Sequence, residues 1–215
     1  MRYRLYYSPA ACSMAVHIVL DELGVDFELT RVSSVDGSTS RPEYLAINPK
    51  GRVPALRIAG QARVLTELPA IMTFLARRHP RPGLLPGEPY HEARCQEWLA
   101  WLAGWVHGAG YGELWRPGRF TDNETLHDAL SANGRRIIGT AYVDIEAQLA
   151  ATGAWAVTSG YSVVDPFLLV LHDWGVRIGL PMADFPAWRA HTARMLERNA
   201  VRRVLEREGV SLAVP

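Results

Sequence analysis

This sequence lacks long apolar runs and clustered charge. No stretch of 18 consecutive apolar residues occurs, and the first residues, MRYRLYY, do not form the apolar core of a signal peptide. Lysine and arginine are scattered along the chain, whose formal net charge is +1, so nothing in the charge pattern favours nucleic acid as a partner. We therefore expect a cytoplasmic protein that binds neither a membrane nor nucleic acid.

Cysteine is also scarce, and this narrows the chemistry further. Cys12 and Cys95 are the two cysteines, with no Cys-x-x-Cys pair and no spacing typical of metal ligands. This pattern argues against a disulfide scaffold and predicts no metal site. The sequence shows no P-loop, dinucleotide-binding glycine run or hydrolase triad. Its 215 residues have an ordinary hydrophobic fraction of 48%, enough for one or two domains with full cores.

The first part of the chain alternates between strand and helix patterns. A strand is predicted over residues 3–7, a helix over 13–23 and a second strand over 26–32, with Gly24 at the end of the helix. Two strands joined by so short a helical connection are expected to be parallel, with a right-handed crossover. This part of the sequence therefore predicts a βαβ unit.

A second unit follows after a polar segment. Residues 33–40 are predicted to form a mobile loop, and one helical turn is expected over 42–47. Short apolar runs at 55–58 and 62–65 have the spacing of a β-hairpin, and the apolar spacing of a further helix comes next. The order βαβ and then ββα predicts an α/β domain with a small mixed sheet over residues 1–78.

Proline and glycine separate this domain from the rest of the chain. Residues 79–89, HPRPGLLPGEP, hold four prolines and two glycines and are predicted to be a linker. Residues 90–215 have helical periods and no convincing strand, so we expect an all-helical C-terminal domain. Its first helix, over about 90–107, has a strongly aromatic face. Capping-box patterns are expected to begin two later helices at Thr121 and Ser162.

Cys12 is the first candidate for chemistry. The strand over residues 3–7 runs into Ser8-Pro9-Ala10-Ala11, which does not easily continue a strand, so Cys12 is expected at the N-terminus of the first helix. Unpaired N–H groups and the helix dipole favour an anion there, so we expect the pKa of this thiol to lie below the ~8.5 of a free cysteine; a pKa of about 6.5 would make roughly three quarters of it thiolate at pH 7. The alternative is a small buried cysteine that fills the gap between strand and helix.

Four stretches of the sequence resemble the glutathione transferase superfamily. They are YYSPAACS at 6–13, INPKGRVPAL at 47–56, LTELPAIMTFLA at 65–76 and YSVVDPFLLVLHDW at 161–174, and they cover nearly the whole chain in the expected order. The cysteine in the first loop makes the chain most similar to the bacterial beta class. The resemblance implies a thioredoxin-like N-terminal domain that binds glutathione, a helical C-terminal domain and a homodimer.

The same resemblance implies a glutathione site in the N-terminal domain. It predicts a cis peptide bond before Pro54 that presents the backbone of Val53 to the peptide backbone of glutathione, the alternative being an ordinary trans turn. At the start of the third helix, orphan N–H groups can receive the γ-glutamyl carboxylate, and Glu67 either helps to hold that group or, with Thr66, only caps the helix. The residues predicted to bind glutathione are Tyr7, Arg52, Val53, Pro54, Glu67 and Leu68.

His107 and two aromatic residues complete the implied active site. By resemblance, His107 approaches the sulfur of glutathione, where a histidine can orient a thiol or stabilise a thiolate. Trp174 and Tyr111 are expected to line the second-substrate pocket, although Trp174 serves equally well as a core residue. Gly104 and Trp105 stand where close relatives often have a polar or acidic side chain, and weakened glutathione recognition is therefore an open alternative.

The expected reaction is attack of the glutathione sulfur on an electrophilic hydrophobic substrate. Two alternatives remain open on the sequence. In the first, Cys12 exchanges thiol and disulfide with glutathione. In the second, the chain is a non-catalytic ligand-binding protein on the same scaffold. Glutathione is a co-substrate both in the conjugation and in the thiol–disulfide exchange. The identity of the second substrate is not determined by the sequence.

Overall fold

The chain begins with the predicted βαβ unit. A computed structural model describes residues 2–81 and 83–212. Strand β1 (Tyr3–Tyr7) is followed by helix α1 (Ser13–Glu22) and strand β2 (Phe27–Arg31). Gly24 ends the first helical segment with a φ of +61°, a conformation that glycine adopts without steric cost. Residue 1 of the predicted N-terminal domain, residue 82 of the predicted linker and residues 213–215 of the predicted C-terminal domain lie outside the described residues.

The mixed sheet has four strands in the order β2-β1-β3-β4. Strand β3 is Ala55–Ile58 and strand β4 is Leu65–Thr66, and helix α2 (Pro42–Leu45) precedes both of them. Strand β1 pairs with β2 in parallel and with β3 antiparallel, as the βαβ-ββα order predicts. Helix α3 (Leu68–Arg78) completes this α/β unit. The N-terminal domain is therefore thioredoxin-like, as the resemblance implies.

Two details of this domain differ from the prediction. The second hairpin strand was expected over 62–65, but β4 begins only at Leu65, because this register places Leu65 opposite Leu56 and aligns two apolar side chains. The segment 33–40, predicted as a mobile loop, is instead held by local hydrogen bonds. Ser38 Oγ accepts a hydrogen bond from the Ser33 backbone N–H at 2.7 Å and donates one to the Ser33 carbonyl at 3.1 Å.

The C-terminal domain is helical, and its first helix is longer than predicted. Helix α4 (Pro89–Trp101) continues through a π-helical segment (Leu102–Tyr111) into the short helix α5 (Gly112–Trp115). The expected end near residue 107 is therefore wrong, because the glycines of this segment widen the helix rather than end it. Wide π-helical turns occur frequently at functional sites. The remaining helices are α6 (His127–Thr152), α7 (Val164–Arg177), α8 (Pro186–Glu197) and α9 (Asn199–Glu208).

One of the two predicted capping boxes is present. Asp165 Oδ2 accepts a hydrogen bond from the Ser162 backbone N–H at 2.7 Å, and Ser162 Oγ accepts one from the Val164 backbone N–H at 3.3 Å, which fixes the start of α7. The box predicted at Thr121 is wrong. There Asn123 is the cap, since its Oδ1 accepts from the Thr125 backbone N–H at 3.1 Å, and a short 3₁₀ turn precedes α6.

Two glycines allow the π-helical segment to approach α6 closely. A Cβ atom added to Gly134 would lie 2.5 Å from the Gly110 carbonyl oxygen and 2.7 Å from the Leu114 backbone nitrogen. A Cβ atom added to Gly110 would lie 2.9 Å from Ile138 Cγ1. The backbone that carries His107 is therefore held against α6 by contacts that only glycine permits.

Replacing Gly134 with alanine is expected to destabilise the protein by about 1–3 kcal/mol, because the new methyl group meets two backbone atoms that cannot rotate away. Gly139→Ala, in the same helix, is the matched control. A Cβ atom there meets nothing within 4 Å. This control should gain about 0.5–1 kcal/mol from helix propensity. Urea unfolding of both variants measures the difference, and equal effects of the two substitutions would disprove the close-packing explanation.

Candidate active site

Cys12 lies where the loop after β1 meets α1. It is the residue directly before Ser13, the first residue of the helix, and only 5% of its surface is exposed. Its Sγ lies 3.6 Å from the Val53 carbonyl oxygen, to which the thiol donates a weak hydrogen bond. The structure thus brings together Cys12 and Val53, two predicted site residues that are 41 positions apart in the sequence.

The expected acidic thiol is not what the structure supports. Burial raises the pKa of Cys12 to about 12, which outweighs the lowering contributed by hydrogen bonds from the backbone of Cys12 and Ser13 and by the nearby Arg116. Backbone N–H groups at the start of the helix lower the pKa as expected, but desolvation of the buried thiolate is the larger effect. The thiol is therefore protonated at pH 7.

The C-terminal domain holds the loop that carries Cys12. Ala10 has a φ of +57°, which is unusual for a residue with a side chain. Its backbone N–H and its carbonyl are each hydrogen-bonded to a helix of the C-terminal domain. Its backbone N–H donates to Glu208 Oε2 at 3.0 Å, and its carbonyl accepts from Trp174 Nε1 at 2.9 Å. The other carboxylate oxygen of Glu208 lies 2.8 Å from His17 Nδ1, and both side chains are fully buried. Glu208 therefore ties α9 to both the loop and α1.

The turn before β3 presents an open backbone donor beside Cys12. The Val53-Pro54 peptide bond is cis. Tyr44 Oη and Asn48 Nδ2 each donate to the Arg52 carbonyl at 2.7 Å and so fix the turn. Within residues 2–81 and 83–212, the Val53 N–H makes no hydrogen bond, so it is available to an extended peptide.

Helix α3 begins directly after Glu67, which follows strand β4. Glu67 has a φ of +69° and does not cap the helix with its side chain, so the capping role considered for Thr66 and Glu67 is wrong. Its Oε1 instead accepts from Lys50 Nζ at 2.5 Å, and Lys50 also donates to Thr66 Oγ1 at 3.0 Å. Leu68 is buried, and only its backbone N–H can face a ligand.

His107 lies among aromatic rings of the C-terminal domain. Its ring is 5.2 Å from the Trp174 ring and 6.2 Å from the Phe167 ring, between centroids. Trp174 also contacts Tyr111 at 4.9 Å and Trp115 at 5.0 Å. Trp174 is buried in the core, as one of the two predicted alternatives has it, and its Nε1 also bonds to the Cys12 loop; its role in a second-substrate pocket stays a prediction.

Tyr111, predicted in the second-substrate pocket, and Tyr7, predicted to bind glutathione, both make contacts within the protein. Tyr111 is 1% exposed, and its hydroxyl group forms a 2.6 Å hydrogen bond with Tyr142 Oη, so its ring forms the floor beneath Trp115 rather than an open wall. Tyr7 packs edge-on against His17, with 5.9 Å between ring centroids, on the side of the sheet where α9 lies. Trp115, which the sequence did not single out, is 44% exposed and is the accessible ring of this aromatic group.

His107 is surrounded by positive charge. Burial lowers its pKa to about 4, and the guanidinium groups of Arg116, Arg52 and Arg119 lower it further in the same direction. His107 is therefore neutral at pH 7 and can orient a thiol through a hydrogen bond, but it does not supply a cation. The positive charge near Cys12 and His107 comes from arginine instead.

The imidazole of His107 is expected to remain neutral down to about pH 5. Carbon-detected titration of the histidine C–H signals, assigned with a His107→Gln variant, measures this directly. The signal lost in the variant should show no midpoint between pH 6 and pH 8 in the wild type, because burial and nearby arginines oppose protonation. A midpoint near the ordinary value of about 6.5 would show that the ring is solvated.

Sequence reasoning missed Glu208, Arg116 and Arg119. Glu208 lies in a charged helix near the end of the chain, and its burial has no local pattern that could reveal it. Arg116 and Arg119 are separated from Arg52 by more than 60 positions, and the scattered charges gave no indication that they meet. Only the tertiary contacts of the two domains bring them to Cys12 and His107.

Comparison with known proteins gives a consistent result. Residues 10–78 match the family model described as glutathione S-transferase, N-terminal domain. The chain is 32% identical over 212 residues to glutathione S-transferase GstA of Escherichia coli O157:H7, with 96% of this chain and 99% of that protein covered. The chain belongs to the glutathione S-transferase family.

Two solved structures of this family place glutathione on similar chains. A glutathione transferase homolog from Sulfitobacter with bound glutathione is 28% identical and superposes with a TM-score of 0.90, covering 96% of this chain and 98% of that one. A sphingomonad glutathione S-transferase complexed with glutathione is 32% identical, with a TM-score of 0.80 and coverage of 97% and 100%. These likenesses support both the family and the two-domain fold.

The described residues contain neither a membrane-spanning helix nor a cluster of metal-ligating side chains. None of the helices between residues 2 and 212 is both long and apolar enough to cross a membrane, residue 82 aside. Within the same ranges, no three His, Cys, Asp or Glu side chains lie together in a way that could hold a metal ion.

Proposed function

We propose that this family member binds glutathione along the Val53-Pro54 turn and conjugates it, through its sulfur, to an electrophilic hydrophobic substrate. The observation that carries the proposal is the unbonded Val53 N–H beside the Cys12 thiol. A peptide laid along this turn can pair with Val53 as an added strand does, which brings a cysteine side chain of that peptide toward Cys12 and His107.

The two ends of glutathione suit the groups on either side of the turn. The backbone N–H groups of Leu68 and Ala70 at the start of α3 are unpaired among the described residues and can receive the γ-glutamyl carboxylate, while Glu67 faces its ammonium group. Arg52 is exposed next to Val53 and offers a cation to the other carboxylate. Tyr7 supports this arrangement indirectly through His17 and Glu208, rather than by contact.

The reaction uses glutathione's own sulfur as the nucleophile. Loss of its proton to solvent gives a thiolate, which forms a carbon–sulfur bond with the electrophile while the leaving group departs with the bonding electron pair. Neutral Cys12 and neutral His107 can each offer a hydrogen bond to this thiolate, and Arg116 supplies a positive field. Trp115 and Trp174 provide an apolar surface for the second substrate.

Thiol–disulfide exchange through Cys12 is the second candidate, because the Cys12 thiol lies at the same site. It requires a Cys12 thiolate to attack a disulfide of glutathione, forming one S–S bond and breaking another. A pKa raised to about 12 disfavours this step. We therefore place conjugation first.

Calorimetric titration with reduced glutathione at pH 7 tests the proposal. Binding in the micromolar to low millimolar range, about 4 to 8 kcal/mol, is expected. Glu67→Ala should weaken binding by about tenfold through the loss of a charge-assisted contact. Glu43→Ala, an exposed glutamate of α2 in the same domain, should not change it. No heat at several millimolar glutathione would overturn the site as described and leave a scaffold used for other ligands.

We also propose that two copies of the chain form a homodimer. The aromatic face of the first C-terminal helix packs mostly in the core of its own chain, because Trp98 and Leu102 are buried. A surface groove of about 710 Å³ between α3 and α4 remains, lined in part by Pro69, Ala70 and Phe74. Light scattering after size exclusion should give twice the mass of one chain, and Phe74→Glu should lower it.

A further inference from the structure

Three arginines act electrostatically on the active site and have no carboxylate partner among the described residues. Arg52 follows the Gly51 turn of the N-terminal domain, and Arg116 and Arg119 follow α5 in the C-terminal domain. Their charges act together on His107, and that of Arg116 acts on Cys12 as well. Within residues 2–81 and 83–212, none of the three forms an ion pair.

Gathering these charges is unfavourable in the protein alone. Burial lowers the pKa of Arg119 to about 10, and the charges of Arg116 and Arg52 act in the same direction. In the described part of the chain, the one acidic group whose charge opposes theirs at His107 is Glu67, which acts on Cys12 as well. Lys50 already neutralises Glu67, with 2.5 Å between Nζ and Oε1. Unpaired like charges at a cleft indicate a site for an anion.

A hydrogen bond links Arg116 of the C-terminal domain to the N-terminal domain. Its Nη2 donates to Ser34 Oγ at 2.7 Å, so the side chain reaches from the end of α5 to the loop after β2. The remaining N–H groups of the guanidinium are left for a ligand, since an arginine carries five donors. A guanidinium held in this way is well suited to bind a carboxylate with two parallel hydrogen bonds.

Exposed aromatic rings flank the two arginines of the C-terminal domain. Trp115 directly precedes Arg116, and Phe120 directly follows Arg119; they are 44% and 48% exposed. Trp115 is not a free side chain, because its ring packs against Tyr111 with 4.6 Å between centroids. Phe120 in turn packs against Gly112, where a Cβ atom would lie 3.1 Å from its Cζ. Each of the two arginines is therefore adjacent in the chain to an aromatic ring that is partly exposed but held in place by packing.

We propose that Arg116 and Arg119 bind a carboxylate of the second substrate, so that the preferred electrophile is an aromatic or other apolar molecule that carries a negative charge. The apolar body of this substrate lies against Trp115, and its carboxylate lies at the rim. This inference rests on the proposed conjugation reaction. Arg52 is left to glutathione, because it adjoins the turn that receives the peptide.

A matched pair of electrophiles tests the proposal. 4-Chloro-3,5-dinitrobenzoate carries a carboxylate, and 1-chloro-2,4-dinitrobenzene is its neutral counterpart. The kcat/KM of each electrophile is measured at saturating glutathione and divided by the rate constant of its uncatalysed reaction. The value for the benzoate divided by the value for the neutral compound is the preference for the anion. The wild type should prefer the benzoate, and Arg116→Gln and Arg119→Gln should each lower the preference about tenfold, as expected for loss of a charge-assisted contact. Arg202→Gln, an exposed arginine of α9, controls for net charge.

A binding measurement separates this inference from the proposed function. Calorimetric titration with unreactive 3,5-dinitrobenzoate, in the presence of glutathione, should show binding that weakens in both variants and at high salt. A ratio that stays unchanged in both variants would overturn the anion site, as would a loss confined to the KM for glutathione. If neither electrophile reacts but the benzoate still binds through Arg116, the conjugation reaction fails and the anion site remains.

Discussion

Cys12→Ala should keep much of the conjugation of glutathione with 1-chloro-2,4-dinitrobenzene and lose all glutathione-dependent thiol transfer. Conjugation uses the sulfur of glutathione, so removal of Cys12 takes away at most one weak hydrogen-bond donor. Thiol transfer needs a sulfur atom in the protein for the mixed disulfide, and alanine has none. The two activities are measured on the same preparation, with Cys12→Ser as the variant that keeps a donor.

The reactivity of Cys12 itself gives a second readout of the same prediction. Since burial raises its pKa to about 12, iodoacetamide should alkylate Cys12 far more slowly at pH 7.5 than it alkylates free cysteine. Mass spectrometry of the modified peptide separates Cys12 from Cys95, which is also buried. Fast alkylation of Cys12, or complete loss of conjugation in Cys12→Ala, would show that a thiolate of the protein takes part in the reaction.

Glu208→Ala should be among the most destabilising single substitutions in the chain, with a loss of about 3–5 kcal/mol. It removes one partner of a fully buried pair and leaves both His17 and the Ala10 N–H without an acceptor. For a chain of this size, such a loss corresponds to a fall in Tm of about 10 °C or more. Glu206→Ala provides the control, because Glu206 is exposed on the same helix.

The same variant should also affect the active site. Ala10 would then bond to the C-terminal domain only through Trp174, so the loop that carries Cys12 loses one of its two hydrogen bonds to that domain. We expect the KM for glutathione to rise more than kcat falls, because the loop positions the ligand rather than the electrophile. Glu208→Gln keeps the shape and one acceptor oxygen, and should recover part of both losses. Equal stability of the alanine variant and the wild type would refute the anchoring role.

The order of elements in the N-terminal domain was predictable because it depends on local patterns. Period-2 and period-3.6 apolar spacings, together with Gly24, located β1, α1 and β2 to within one or two residues, and a short crossover dictated their parallel pairing. The capping box at Ser162 was equally local. By contrast, the similar pattern at Thr121 failed, because Asn123 two residues later competes for the same role.

The end of the first C-terminal helix was not predictable from glycine content. The run HGAGYG resembles a helix break when only propensity is considered. In the folded chain, Gly110 and Gly134 let the π-helical segment and α6 pack closely. This packing compensates for the helix stability that is lost through the low helix propensity of glycine. Whether the segment stays helical depends on the helix that packs against it, and the sequence of the segment itself does not identify that helix.

The sequence by itself determined the order of α/β elements, the helical second domain and the position of Cys12 at the start of α1, because each depends on local patterns, whereas the cis turn at Val53-Pro54 was implied only by the family resemblance. Tertiary structure alone decided the charge of the site. It buried Cys12 and desolvated the half-buried His107, so that both are neutral, and it placed Arg52, Arg116 and Arg119 where their charges act on His107. The physical reason is that desolvation and Coulomb interactions depend on distances in space, between residues that the sequence places far apart.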